Sequence, residues 1–327
     1  MKFHFFPIIT FVMIVATNAA LSPELYWKSM LPNTPIPKSI TNLLHFGKNL
    51  VCSLKRSNLK DQKVEKLGYG GVNVGVYKGY YGSGTNVNVG VGHSPFDYLY
   101  AASDTQSHDD PNVALFFMEK DLHRGTKLNS HFTKASNEAT FLPRQVADSI
   151  PFSSNKVKDI LSKFSVEPWS DEARIMKNTI NECEAKGLKG EEKYCATSLE
   201  SMVDFATSKL GKNIKAFSTE KAENDTKLKK YTITEGVKNL AHNKVVVCHK
   251  QNYPYAVFYC HKTDTTKAYF VPLESADGSR VKAIAVCHTD TSKWNPKHLA
   301  FKVLKVQPGT FPICHFLPED HVVWLLK

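Results

Sequence analysis

The chain has 327 residues, of which 42% are hydrophobic and 22% charged, and a formal net charge of +11. That length holds one large or two modest domains, and that balance excludes a disordered or fibrous chain. The positive charge favours polyanionic partners, but it is spread out. Its densest cluster, Lys-Leu-Lys-Lys at 227–230, reads as a solvated loop, and no basic patch is interleaved with aromatics as a nucleic-acid surface would be.

Residues 1–20 read as a secretory signal peptide: a positive start at Lys2, an apolar run from Phe5 to Ala16, and small residues at Ala19-Ala20. No later stretch is long and apolar enough to span a bilayer. The mature chain is therefore expected to be secreted or lumenal, with no membrane contact after signal cleavage and no nucleic-acid partner. Residues 21–47 carry Leu25-Tyr26-Trp27 and then Leu31-Pro32-Asn33-Thr34-Pro35-Ile36-Pro37. The three prolines exclude a helix and favour an extended segment, docked along the body or mobile. Residues 48–110 read as a linker and repeat. The polar, Lys-rich part at 48–68 holds Cys52, the one cysteine far from the others, left free or paired with another chain. Residues 69–92 repeat Val72-Asn73-Val74-Gly75-Val76 as Val87-Asn88-Val89-Gly90-Val91, with Tyr77, Tyr80 and Tyr81 between the copies. So much glycine disfavours a stable hairpin.

The folded domain is expected at 111–327. Val113–Gly125 reads as a buried strand that ends in a turn at Gly125, with Phe116 and Phe117 in the core and His123 as a possible extra ligand or proton carrier. A helix is expected at 154–164, where Val157, Ile160, Leu161 and Phe164 share a face. A second helix opens at Ser170 or Asp171 and breaks at Gly187–Gly190, and a third is expected at about 192–210. Cys183 and Cys195 flank the break, so a disulfide there would staple a helical hairpin. Asn224-Asp225-Thr226 is a glycosylation sequon. Beyond 214 the pattern is short β-branched runs separated by turns. Strands are expected at Tyr231–Ile233, Val245–Val247, Ala256–Cys260, Ala268–Val271, Val281–Val286, Phe301–Val306 and Val322–Leu325. The class is α+β, mainly antiparallel β in the carboxy-terminal half, with the stapled hairpin packed on it.

Four Cys-His dipeptides punctuate this half: Cys248-His249, Cys260-His261, Cys287-His288 and Cys314-His315, with intervals of 10, 25 and 25 residues. They lie in or beside strand-like runs, where neighbouring side chains point to opposite faces. Sulfurs and imidazoles should therefore separate. In an oxidising compartment the four cysteines form two disulfides, by any of three connectivities. The imidazoles are then free to converge, and a cluster of neutral rings suits Cu, Zn, Ni or Fe. Two plainer readings stand beside this: histidines that only cap or hydrogen-bond, and a structural zinc site, which the long intervals disfavour. There is no Gly-x-Ser-x-Gly elbow, no His-Glu-x-x-His helix and no phosphate-binding glycine loop.

The pattern CH-x10-CH-x25-CH-x25-CH closely resembles the hallmark of the BURP domain, a family of secreted plant proteins. The resemblance extends to Phe116-Phe117 with Leu122 and Gly125, to Tyr26-Trp27 with Leu31-Pro32-Asn33-Thr34-Pro35, and to the Val-Asn-Val-Gly-Val repeat of the dehydration-responsive branch. The Cys183–Cys195 pair also fits the family. The resemblance implies a member of the unknown-seed-protein or dehydration-responsive type, with a role in seed development or stress, for which acidic wall polysaccharide such as pectin is a natural partner. Some members are copper-dependent peptide cyclases. That implies copper as the cofactor, His249, His261, His288 and His315 as its ligands, and Tyr77, Tyr80 or Tyr81 as residues cross-linked within the chain's own repeat.

Overall fold

The computed structural model describes residues 21–44, 116–130, 132, 139–187, 190–221 and 229–327. The signal segment, Cys52, the three repeat tyrosines and Asn224 lie outside the described residues. Two antiparallel sheets form the body. The larger has β1 (Phe116–Met118), β12 (Ile313–Phe316), β11 (Arg280–His288), β10 (Thr266–Ser275), β6 (Lys229–Ile233) and β2 (Lys127–Ser130) in that spatial order, with β5 (Glu220–Lys221) on β11 and β7 (Lys238–His242) on β10. The smaller runs β3 (Glu191–Ala196), β9 (Phe258–Thr263), β8 (Val245–Lys250), β13 (Val322–Leu326) and β4 (Ile214–Phe217).

Side-chain alternation divides the core into layers. Val245, Val247, Val323 and Leu325 of the small sheet meet Ala268, Ile284 and Val286 of the large one in a single cluster between the sheets. The opposite face of the small sheet presents Val246, Cys248, Phe258, Cys260 and Trp324 to a helical cover. The outer face of the large sheet gathers Ala283, Ala285, Cys287, Cys314 and Phe316 with Phe117 and Tyr231. Adjacent positions on one strand thus serve different layers.

The helical cover comes from the amino-terminal segment and from the middle of the chain. Helices α1 (Pro23–Met30) and α2 (Lys38–Leu44) flank the prolines, so the extended backbone is confined to the stretch between them. Ser22 caps α1 and Pro23 opens it. Trp27 is buried against Trp324, with ring centroids 5.0 Å apart, and its indole donates to the Thr34 carbonyl at 2.8 Å. Of the remaining helices, α3 (Arg144–Asp148) precedes α4 (Val157–Lys163), entered through a 3-10 turn at Ser154–Lys156 and close to the expected span. Then come α5 (Asp171–Glu184), capped by Ser170, and α6 (Leu199–Leu210), capped by Ser198. Leu199, Met202, Val203 and Ala206 of α6 pack on the small sheet.

Four further expectations change. Of the strand expected over Val113–Gly125, the described residues form β1 only at Phe116–Met118 and then a 3-10 turn at Glu119–Asp121. Residues 191–196 form strand β3, not the start of a helix, because their backbone pairs along its length with β9. The Cys183–Cys195 bond is present, but it ties the last turn of α5 to that edge strand and does not staple a helical hairpin. Phe301–Val306 is not a strand. Leu299–Leu304 forms α7, begun by His298, whose Nδ1 accepts from the Ala300 amide at 3.2 Å, and ended by Lys305 at φ 53°. Its apolar residues pack Phe301 and Ala300 against Phe116 and Trp294. The strand of that region is β12, whose turn-rich approach hides it from pattern reading.

Candidate metal centre

The four dipeptides lie within four strands, β8, β9, β11 and β12. Cys248 lies directly opposite Cys260 in the β8–β9 pair, and Cys287 directly opposite Cys314 in the β11–β12 pair. Both pairs are disulfide-bonded with Cα atoms 4.0 Å apart, which selects one of the three connectivities. That spacing belongs to directly opposed antiparallel residues of the close pair type. Each sheet therefore carries its own bond, on its own outer face.

The next residue along each strand turns to the interior between the sheets. His249 follows Val245 and Val247 on that face, and His288 follows Ile284 and Val286. His261 is in register with Val247, and His315 with Val286. Each sheet thus contributes a diagonal pair of imidazoles on one face. All four rings are buried. Their centroids close a quadrilateral: 5.2 Å from His249 to His261, 6.4 Å to His288, 5.7 Å on to His315, and 6.5 Å back to His249. The separation into sulfur and imidazole faces expected from strand alternation is the arrangement observed.

Further side chains complete the surroundings. His321, in the turn before β13, is buried with its Nδ1 3.0 Å from His249 Nδ1. The Glu191 carboxylate lies 3.0 Å from His261 Nδ1 and also accepts from the Tyr259 hydroxyl at 3.2 Å. His315 Nδ1 is 3.2 Å from the Phe316 carbonyl. The buried Lys250–Asp320 pair, at 3.7 Å, sits beside His249 and His321 in sequence. Trp294 packs on His288 and His298, with centroids 5.1 and 4.8 Å away. His123, by contrast, is exposed, and its ring bonds within its own turn, to Thr126 and the Arg124 carbonyl. His321, Glu191 and Trp294 escape a sequence reading because each is a lone residue with no spacing to mark it. Only the fold brings them to the dipeptides.

Burial favours the neutral form of His249, His288, His315 and His321. It holds His249 and His288 well below the usual imidazole range, with the neighbouring imidazoles adding to the effect. It lowers His315 to about 3 and His321 to about 4, Asp320 opposing the latter shift. Neutral imidazole is the ligating form. One pair of donors has the spacing that a shared first-row ion would need. His249 Nε2 and His261 Nε2 are 3.2 Å apart. Two nitrogens bound to one ion at about 2.0–2.1 Å stand roughly 2.9–3.4 Å apart. Among the described residues, no group of three or more His, Cys, Asp or Glu side chains is placed to hold a metal ion as it stands.

Fold and site define a class: a two-sheet domain, each sheet locked by its own disulfide, with a buried cage of histidines between the sheets. A family model described as BURP domain matches residues 115–326. The chain is 47% identical to BURP domain protein RD22 of Arabidopsis thaliana over 95% of this chain and 96% of that one. It is 55% identical to BURP domain-containing protein 3 of Oryza sativa over 74% of this chain and 57% of that protein, and 41% identical to BURP domain protein USPL1 of Arabidopsis thaliana over 67% and 82%. The chain belongs to the BURP domain family, and within it resembles RD22 along nearly its whole length.

Proposed function

We propose that the protein is a secreted stress or seed-development protein of the cell wall or storage compartment whose working part is a copper centre held by His249, His261, His288 and His315. The observation that carries this is the closed quadrilateral of buried imidazoles, supplied in pairs by two separately locked sheets. Copper binds most tightly among the divalent metals suited to imidazole. When bound, it supplies one-electron oxidation of a nearby phenol, with dioxygen accepting the electrons. The chain's own contribution is to favour neutral rings at His249, His288 and His315, exclude water from them and hold the two pairs at fixed separation. The test is titration of the secreted, oxidised chain with Cu(II). One ion should bind with a spectrum of imidazole ligands, and His249→Ala with His288→Ala should abolish it. Stoichiometric binding that survives in the double variant, or none in the native chain, would sink the assignment. The net charge of +11 supports retention on acidic wall polysaccharide such as pectin. Retention on polygalacturonate should then disappear in high salt, since exposed charges are screened.

A second reading, copper-dependent cross-linking of Tyr77, Tyr80 or Tyr81 in the chain's own repeat, is favoured by where the described fold resumes. Phe116 begins β1 with its ring 5.5 Å from His298 and 6.5 Å from His315. Phe116, the first described residue after the repeat, thus lies beside the imidazole cage. Cyclisation would join a tyrosine to a nearby carbon or side chain with loss of two hydrogens. Mass spectrometry of the 69–92 peptides after incubation with Cu(II) and air reads that loss directly. Unchanged mass under all conditions removes this reading and leaves the copper-binding one standing.

A further inference from the structure

We infer that His321 and Glu191, neither of them in a Cys-His dipeptide, are positioning residues that turn the Nε2 atoms of His249 and His261 toward a shared ion. The inference rests on the copper reading above and specifies how the chain presets it.

Each imidazole has two nitrogens, and the partner of one decides what the other can do. His261 Nδ1 faces a Glu191 oxygen at 3.0 Å. A carboxylate oxygen accepts, so the proton sits on Nδ1 and His261 Nε2 offers a lone pair. His315 repeats the arrangement, with Nδ1 donating to the Phe316 carbonyl at 3.2 Å. His249 is bracketed on both sides: its Nε2 is 3.2 Å from His261 Nε2 and its Nδ1 is 3.0 Å from His321 Nδ1. For Nε2 to join the other two lone pairs, His249 must carry its proton on Nδ1 and donate it to His321 Nδ1. His321 must then carry its own proton on Nε2. That nitrogen is on the side of the Asp320 carboxylate, 4.0 Å away. With an ion shared, that set of tautomers has His249, His261 and His315 all presenting Nε2, and the Nε2 lone pairs of His249 and His261 face each other across a gap that suits a shared cation. Without one, the same distances are met by His249 Nε2–H donating to His261 Nε2 and His321 Nδ1–H donating to His249 Nδ1.

Acceptors behind ligating histidines fix ring orientation and raise ligand basicity, and their loss typically weakens metal binding about 10- to 100-fold. The experiment compares Cu(II) affinity of the whole secreted chain with that of His321→Phe, His321→Asn, Glu191→Leu and Glu191→Gln. Thermal unfolding of each is recorded without metal. Asn places an oxygen near the position of His Nδ1, and Phe keeps the ring volume without an acceptor. The expected result is about 10- to 100-fold weaker binding in His321→Phe and Glu191→Leu, with most of the affinity restored in His321→Asn and Glu191→Gln. The copper spectrum of the restored variants should match that of the native chain. If His321→Phe unfolds natively but binds copper as the native chain does, the positioning role is wrong while the copper centre stands. If His321→Asn is as weak as His321→Phe and loses a nitrogen signature, His321 is a direct ligand and the inference is overturned. No binding in the native chain overturns the copper reading itself. In the diamagnetic Zn(II)-loaded chain, nitrogen NMR should show Nδ1–H for His249 and His261 and Nε2–H for His321, and the reverse pattern overturns the assignment independently of affinity.

Discussion

A histidine shut between two sheets resists protonation because the charged ring loses its water. His298 and His321 are lowered to about 4 and His315 to about 3, burial being the largest cause in each. In the unfolded chain these rings titrate near 6.5. Below that value the unfolded chain binds more protons than the folded one, so stability is complete above about pH 6.5 and is lost as pH falls toward the folded values. Each such ring contributes a slope of about 1.4 kcal/mol per pH unit within its window. The urea midpoint of the metal-free protein should therefore be level from neutral to about pH 6.5 and fall steeply toward pH 4.5. A midpoint that stays level through that range would contradict the buried, neutral state of these rings. The residue scale is also where the sequence is most informative. Strict Cys-His adjacency within β-branched runs forces opposite faces, so the division of labour is legible without coordinates. What those residues could not disclose was their company, since Glu191 and His321 reach the site only through the β3–β9 and β8–β13 pairings.

At the scale of elements, the two cross-strand disulfides set the distance between the imidazoles of each pair. Cys248–Cys260 spans 12 residues of sequence and Cys287–Cys314 spans 27. In the chain-entropy account a bond of this kind stabilises by about 2–4 kcal/mol, and the longer loop gains more by roughly 0.7 kcal/mol. Replacing Cys287 and Cys314 together by serine should thus lower the unfolding free energy somewhat more than replacing Cys248 and Cys260. Each double replacement should also weaken copper binding, because the diagonal imidazole pair is released with its bond. Equal stability in all three proteins, by urea unfolding, would show that strand pairing alone holds the registers. Element identity was legible where alternation and burial coincide, as in β8, β11 and β13. It failed where a short apolar run fits either period. Phe301–Val306 is β-branched at both ends of its carboxy-terminal half, yet His298 supplies a cap and the helix packs one side on Phe116. Residues 191–196 carry charged side chains that suit a helix surface, and the open edge of β9 decides against it.

The whole molecule depends on a segment that lies more than seventy positions from the matched domain. The family match begins at 115, but residues 21–44 are built into the same body. Trp27, Leu31 and Ile40 join Met202, Val203 and Trp324 in one core cluster. The Thr34 hydroxyl donates to the Ile214 carbonyl at 2.6 Å, and the Phe141 amide donates to the Leu43 carbonyl at 3.0 Å. Arg144 pairs with Asp204 at 2.6 Å, and the Tyr26 hydroxyl donates to the same carboxylate. A proline-rich segment gives no periodic signal from which such docking can be read, because its anchor is one tryptophan rather than a repeating face. The cluster lies behind Cys248 and Cys260, so it backs the strands that carry His249 and His261. Trp27→Ala removes the largest side chain of that cover and leaves Trp324 facing a void. Truncations of this type cost about 3–5 kcal/mol when the site does not collapse. The unfolding transition should shift by that amount, and Trp324 fluorescence should report exposure in the native baseline. Trp27→Phe, which keeps an aromatic ring but loses the bond to Thr34, should shift it by less. An unchanged transition in Trp27→Ala would mean that residues 21–44 rest on the domain without supporting it, and that the sheet holding the first imidazole pair is stable by itself.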